Sequence, residues 1–186
     1  MEGDRSVLVG EIFAAVFLLF LSTSSLADSK IVHRFVDKEI ADIPIGEYSE
    51  ERVLSMYGRG IPIQEGYAFC YFNRKEETFL VFEYGPDRFI QSGIIAKQHY
   101  QKNYDECKGK EITSPLQTGK GVKLGNSPES VILIYGEPDK REVKGRVLIL
   151  EYHTDFSRDP QVTLAYDAYL YFEDGKLVKL IIHDGD

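Results

Sequence analysis

Gly125–Pro138, GNSPESVILIYGEP, is the stretch whose reading decides the fold. Ser127 is suited to cap a helix, because its hydroxyl accepts from a free amide of the first turn. Pro128 takes the first helical position, where a missing N–H costs nothing. Glu129 puts negative charge at the positive end of the helix dipole. Gly136 supplies a C-terminal cap and Pro138 blocks continuation. Between these bounds Val131–Tyr135 is apolar throughout, so this helix is expected to lie on a sheet. The sequence that follows supplies strands: Arg141–Lys144, a Gly145 turn, Val147–His153, a polar loop over 155–160, then Thr163–Glu173 and Leu177–His183. The last two runs are joined by Asp174-Gly175, and Asp-Gly between alternating runs is a strong hairpin signal.

A weaker copy of this pattern stands upstream. Ser49–Gly58 (SEERVLSMYG) reads as a helix capped by Ser49, with Val53, Leu54, Met56 and Tyr57 as its apolar content. Two β-rich runs follow, Tyr67–Arg74 and Thr78–Tyr84, joined by the polar Lys75–Glu77 loop. A Gly85–Asp87 turn leads into Arg88–Ala96. Residues 97–121 read as a long polar connection that carries Cys107, with room for a short strand near Ile112. Before all of this, IVHRFV and IADIPI suggest one or two extended pieces closed by Pro44 and Gly46.

At a constant offset, Ser49, Glu51, Val53, Tyr57 and Gly58 coincide with Ser127, Glu129, Val131, Tyr135 and Gly136. Further on, Phe82–Ile95 echoes Phe172–Ile182. Two matches in the same order argue for duplication of one supersecondary unit. The fold class expected is therefore α+β, in two tandem repeats, each a short helix packed on a three- or four-stranded antiparallel sheet. The expected divisions are a signal peptide over 1–27, an N-terminal extended segment over 28–48, a first repeat with its long connection over 49–118 and a second over 119–186.

The signal-peptide reading rests on the apolar run Ile12–Leu21 followed by Ser22–Ala27, with cleavage after Ala27. The run is short for a membrane span. Its leading segment carries Glu2, Asp4 and Glu11 against Arg5, where signal peptides start positive; a misassigned start codon or an uncleaved anchor would explain that. The expected location is the periplasm or the extracellular space, with no stable membrane span after cleavage. A formal charge of -8, with no long Lys/Arg run, argues against a nucleic-acid partner.

Gly125, Ser127, Glu129, Val131, Tyr135-Gly136 and Pro138, with the strand ending Phe172–Lys176, resemble the SmpA/OmlA type of small envelope protein. Those proteins share a fold with the β-lactamase inhibitor proteins, which are tandem repeats of such units. The resemblance covers Gly121–His183 closely and Ser49–Ile95 loosely. It implies protein–protein binding in the cell envelope and no catalysis. The lipidated Cys of the outer-membrane members and the inhibitors' contact residues are not matched here, so neither property is carried over.

Chemistry is sparse. Cys70 and Cys107 are the only cysteines, and an even count in an exported chain favours a disulfide. A redox pair or two metal-binding thiolates would call for a close CxxC spacing, which is absent. His153 and His183 stand near Asp155, Asp184 and Asp186, but no HExxH and no Cys/His cluster accompanies them. Gly119-Lys120-Gly121 lacks the rest of a phosphate loop, and no Gly-x-Ser-x-Gly turn occurs. No catalytic residue, metal site or cofactor is expected. Alternation in Thr163–Glu173 puts Leu164, Tyr166, Ala168, Leu170 and Phe172 on one face, and Tyr169 and Tyr171 on the other. The corresponding outer set of the last strand is Leu177, Lys179, Ile181 and His183. Tyr169, Tyr171, Lys179 and His183 are the expected partner-binding face, since tyrosine gives large contact area at low entropic cost. The function expected is a non-enzymatic exported module binding another protein through its sheet. A periplasmic small-ligand or cell-wall-fragment binder, or an exported enzyme of unrecognised type, are the alternatives.

Overall fold

The computed structural model describes residues 35, 37–46, 50–86, 89–100, 102–155 and 165–185. The expected signal peptide, its cleavage site and the Ser49 cap lie outside them. In chain order the elements are β1 (Glu39–Ile40), β2 (Ile43–Pro44), α1 (Glu50–Tyr57), β3 (Ile61–Ile63), β4 (Ala68–Asn73), β5 (Thr78–Tyr84), β6 (Ile90–Lys97), α2 (Pro128–Tyr135), β7 (Lys140–Lys144), β8 (Val147–Asp155), β9 (Ala165–Glu173) and β10 (Lys176–Gly185). Short 3-10 stretches occupy Gln64–Gly66, Gln98–Tyr100 and Lys102–Gly109.

The capped stretch folds as its chemistry dictates. The Ser127 hydroxyl accepts from the Ser130 amide at 3.3 Å, and the Gly136 amide, at φ 85°, closes the helix on the Ile132 carbonyl. Val131 and Tyr135 are buried, and removal of each such side chain from water is worth about 1.5–3 kcal/mol. The expectation that this helix is too apolar to be solvated needs one correction. Leu133 is 87% exposed, because an eight-residue helix lying on a sheet turns one side away from it.

Both helices are followed by a four-strand meander. The sheet order is β3-β4-β5-β6-β10-β9-β8-β7, antiparallel at every pairing. The sequence reading puts a three- or four-stranded sheet under each helix. The structure has one eight-stranded sheet instead, because β6 and β10 pair with each other, Ile94 opposite Ile181. Strand β3, with Pro62 at its middle, escapes sequence reading, since it is three residues long and lies on the edge.

One face of the sheet carries the main core. Tyr71, Leu80, Phe82, Ile95, Leu150, Leu170, Phe172 and Leu180 meet Val53 and Tyr57 of α1 and Val131 and Tyr135 of α2. The β1–β2 hairpin straps across the same face and buries Ile40, Ile43 and Ile45 completely. Gly93 makes that approach possible: a Cβ there would stand 2.9 Å from Ile40 Cδ1 and 3.0 Å from Ile45 Cδ1.

On the opposite face, Lys102–Gly109 covers β4, β5 and β6. Tyr104 and Cys107 pack with Phe72, Phe79, Val81, Ile94 and Ala96 in a second cluster. The expected Cys70–Cys107 disulfide is present, with Cα atoms 5.5 Å apart and both residues fully buried. The chain then returns beside β4, where the Phe72 amide donates to the Lys110 carbonyl at 2.8 Å and the Ile112 amide to the Phe72 carbonyl at 2.9 Å. The short strand expected near Ile112 is this single bridge, Phe72 to Glu111.

Candidate functional site

The second half of that opposite face has no such cover among the described residues. β9 alternates as expected: Tyr166, Ala168, Leu170 and Phe172 join the main core, while Asp167, Tyr169, Tyr171 and Glu173 turn outward and are only partly buried. On β10 the alternation breaks. A register shift between Leu177 and Lys179 sends Leu177 into the main core with Leu180 and Ile182, so Leu177 leaves the outer set. Lys179, Ile181 and His183 remain on the outer side, each half-buried.

Pairing across the strands makes this a grid. Lys179 stands opposite Tyr171, which stands opposite Ile149. Ile181 faces Tyr169, which faces Glu151, and His183 faces Asp167, which faces His153. All four expected binding residues, Tyr169, Tyr171, Lys179 and His183, therefore share one surface, with His183 two residues along β10 from Ile181. The Lys179 ammonium lies 5.5 Å from the centre of the Tyr171 ring, a cation–π contact. Tyr100, on the turn that precedes the covering segment, approaches the same ring, centroid to centroid at 6.1 Å. The site is thus a sheet floor with a wall of chain along one side.

Its charges are mostly paired. The Lys140 ammonium is 3.0 Å from Glu151, and that contact raises its pKa. His153 Nδ1 is 2.6 Å from Asp167, and the His153 amide donates to Asp139 at 2.7 Å. His99 Nε2 lies 3.7 Å from Glu173. Burial pushes the Tyr169 and Tyr171 hydroxyls above their ordinary range, and it holds the Lys179 ammonium below the ordinary lysine range, with Glu83 opposing.

Other chemical candidates resolve into structure. Among the described residues, no group of three or more His, Cys, Asp or Glu is placed to hold a metal ion. The cysteines are bridged, so neither is a thiolate. Gly119-Lys120-Gly121 does cradle an anion, but an internal one: the Lys120 amide donates to the Asp37 carboxylate at 3.0 Å. A groove of about 560 Å³ runs beside the β4–β5 turn, lined by Arg74, Lys97, Leu116 and Lys123 among others. Arg74 is paired with Glu111, and Lys97 donates to the Glu76 carbonyl.

No family model matches the chain. No curated protein matches it significantly. Among solved structures it is similar to a DUF4309 family protein (YjgB) from Bacillus subtilis subsp. subtilis str. 168, at 14% identity and a TM-score of 0.45, over 76% of this chain and 82% of that one. At that distance the likeness identifies neither a family nor an activity.

Tyr100, Ile149 and Glu151 belong to the site and were missed from sequence. Their placement depends on strand register and on a turn far away in the chain, and neither leaves a local signal. Alternation alone found Tyr169 and Tyr171, because period-2 patterning states which face a strand residue takes.

Proposed function

We propose that the chain is an exported, non-enzymatic module that binds another protein through the outer face of β8, β9 and β10. One observation carries this reading. The segment Lys102–Gly109 lies over β4–β6 of the sheet's outer face, while β9 and β10 present Tyr169, Tyr171, Lys179 and Ile181 half-buried, with Tyr100 beside Tyr171 and Ile181 at the margin of the second cluster. A contiguous surface of aromatic and aliphatic groups with a polar rim is what protein recognition sites are made of. Export is supported by the leader-like Ile12–Leu21 run and is compatible with the Cys70–Cys107 bridge. Among the described residues no helix is long and apolar enough to cross a membrane.

We infer, further, that the two helix-plus-meander halves descend from one duplicated unit, as in the SmpA/OmlA and β-lactamase-inhibitor architectures the sequence resembles. Ile94-Ile95 and Ile181-Ile182 are the matching ends of the echoed segments, and Ile94 and Ile181 are register partners. Two copies related by a two-fold axis would place equivalent residues opposite each other at that axis.

Site-specific photocrosslinking tests the binding reading. A photoreactive amino acid at position 171, in the producing cells, is expected to trap a discrete protein adduct. The same group at position 133, on the exposed side of α2, is expected to trap none. Equal adducts at both positions, or none at 171, would overturn the reading.

A further inference from the structure

We infer that the segment received by this face is a loop of the partner protein carrying an Asp or Glu side chain, whose carboxylate pairs with Lys179. This rests on the outer face being a protein-binding surface. The argument is one of charge and cover.

Each carboxylate around the face already has a donor or a cation. Glu151 is held by Lys140 at 3.0 Å and Asp167 by His153 at 2.6 Å, and Glu173 has His99 at 3.7 Å. Glu83, across the β5–β6–β10 rows, accepts from Gln64 at 3.1 Å and from Ser92 at 2.5 Å. Lys144, at the far edge, is 3.1 Å from Glu142. Lys179 differs. It is half-buried in the middle of the floor, its ammonium meets the Tyr171 ring, and none of the described carboxylates lies within ion-pair distance of it. Covering the face with apolar groups alone would take that ammonium out of water with no carboxylate in contact, Glu83 acting on it only from beyond ion-pair distance, which is unfavourable. A carboxylate placed there satisfies it, and a second cation is rejected.

The first half of the same face shows the form such a cover takes. Lys102–Gly109 is a short 3-10 stretch broken at Tyr104, and it seats that aromatic ring edge-on against Phe79 at 6.1 Å. A partner loop with an aromatic or aliphatic side chain beside its carboxylate would repeat that packing over Tyr169, Tyr171 and Ile181.

The test is to pan a library of displayed random dodecapeptides against the purified chain and measure binding of the selected peptides to variants of matched thermal stability. The expected result is enrichment of Asp or Glu beside aromatic or aliphatic residues. Binding should weaken roughly tenfold or more for Lys179→Met and persist for Lys179→Arg. Peptides without acidic enrichment, unchanged binding to Lys179→Met, or no selected peptide at all would each overturn the inference. Peptides lost in Tyr169→Ala/Tyr171→Ala but indifferent to Lys179→Met would overturn it while leaving the binding face in place. Peptides indifferent to both sets would remove the face as well.

Discussion

Asp37 and Tyr135 are 98 residues apart in sequence and joined by one hydrogen bond, the Tyr135 hydroxyl donating to the Asp37 carboxylate at 2.8 Å. The Thr118 hydroxyl lies 2.9 Å from the same tyrosine oxygen, and the Lys120 and Glu39 amides also donate to Asp37, at 3.0 and 3.4 Å. All of Asp37, Thr118 and Tyr135 are buried, so this small network ties the N-terminal strap to α2 where water cannot substitute. Tyr135→Phe keeps the ring and removes the donor. It should cost about 1.5–3 kcal/mol, the range for hydrogen bonds to charged groups, read from denaturant unfolding. An unchanged midpoint would mean that the network does not hold the strap. Ser127 poses the more local question. Ser127→Ala should cost about 1 kcal/mol and Ser127→Asp close to nothing, because a carboxylate caps as well and suits the dipole. Equal losses for both would show that the hydroxyl's contact with Ser130 is not what matters. The cap was legible in sequence because it is written in adjacent residues. The Asp37 network was not, since nothing near Asp37 announces a partner beyond position 130.

At the level of elements, the sequence signals that came through are those with short range. Both helices, the β9–β10 hairpin at Asp174-Gly175 and the strand Thr78–Tyr84 stand where capping, turn chemistry and alternation put them. Leu177 shows the limit of alternation: one irregularity in register reversed its face, and a period-2 count has no means of registering that. Lys102–Gly109 shows another limit. A polar run containing Lys102, Asn103, Asp105, Glu106 and Lys108 reads as a surface connection, yet Tyr104 and Cys107 dip into the second cluster, and the disulfide holds them there. The bridge spans a sequence separation of 37, for which the chain-entropy account gives roughly 4 kcal/mol of stabilisation. Non-reducing mass spectrometry of the native chain should find the bridge intact. The Cys70→Ser/Cys107→Ser pair should unfold at lower denaturant, with hydrogen exchange over 102–109 accelerated before the rest of the sheet. Two free thiols in the native chain, or uniform exchange in the variant, would contradict this view of the segment as a tethered cover.

For the whole molecule, the sheet is one continuous object with two differently treated halves: among the described residues, the segment Lys102–Gly109 lies over β4–β6, and no such segment lies over β9 and β10. The α+β class, the strand content and the pair of helices were all within reach of sequence; the merging of the strands through β6 and β10 was not, because it depends on pairing between Ile94 and Ile181, far apart in the chain. The same core sets an alkaline limit. Burial raises Tyr57 and Tyr71 to about 12, against an ordinary value of about 10, and it raises Tyr84, Tyr135 and Tyr152 as well. A raised folded-state value favours the protonated form, so the stability these groups contribute is complete below about pH 10 and is lost as pH climbs through 12. Absorbance titration should show only part of the 12 tyrosines ionising near their ordinary value, the remainder doing so together with unfolding. All of them ionising as one class in a folded chain would contradict the burial. The claim that the uncovered half is a binding surface is tested most directly by measuring unfolding and partner capture on the same variants, Tyr169→Ala and Tyr171→Ala. The account predicts stability changed little and capture weakened by about thirtyfold, the loss of an interface aromatic worth about 2 kcal/mol. Capture unchanged while stability falls by roughly 3–5 kcal/mol would place both tyrosines among the core groups and contradict the account.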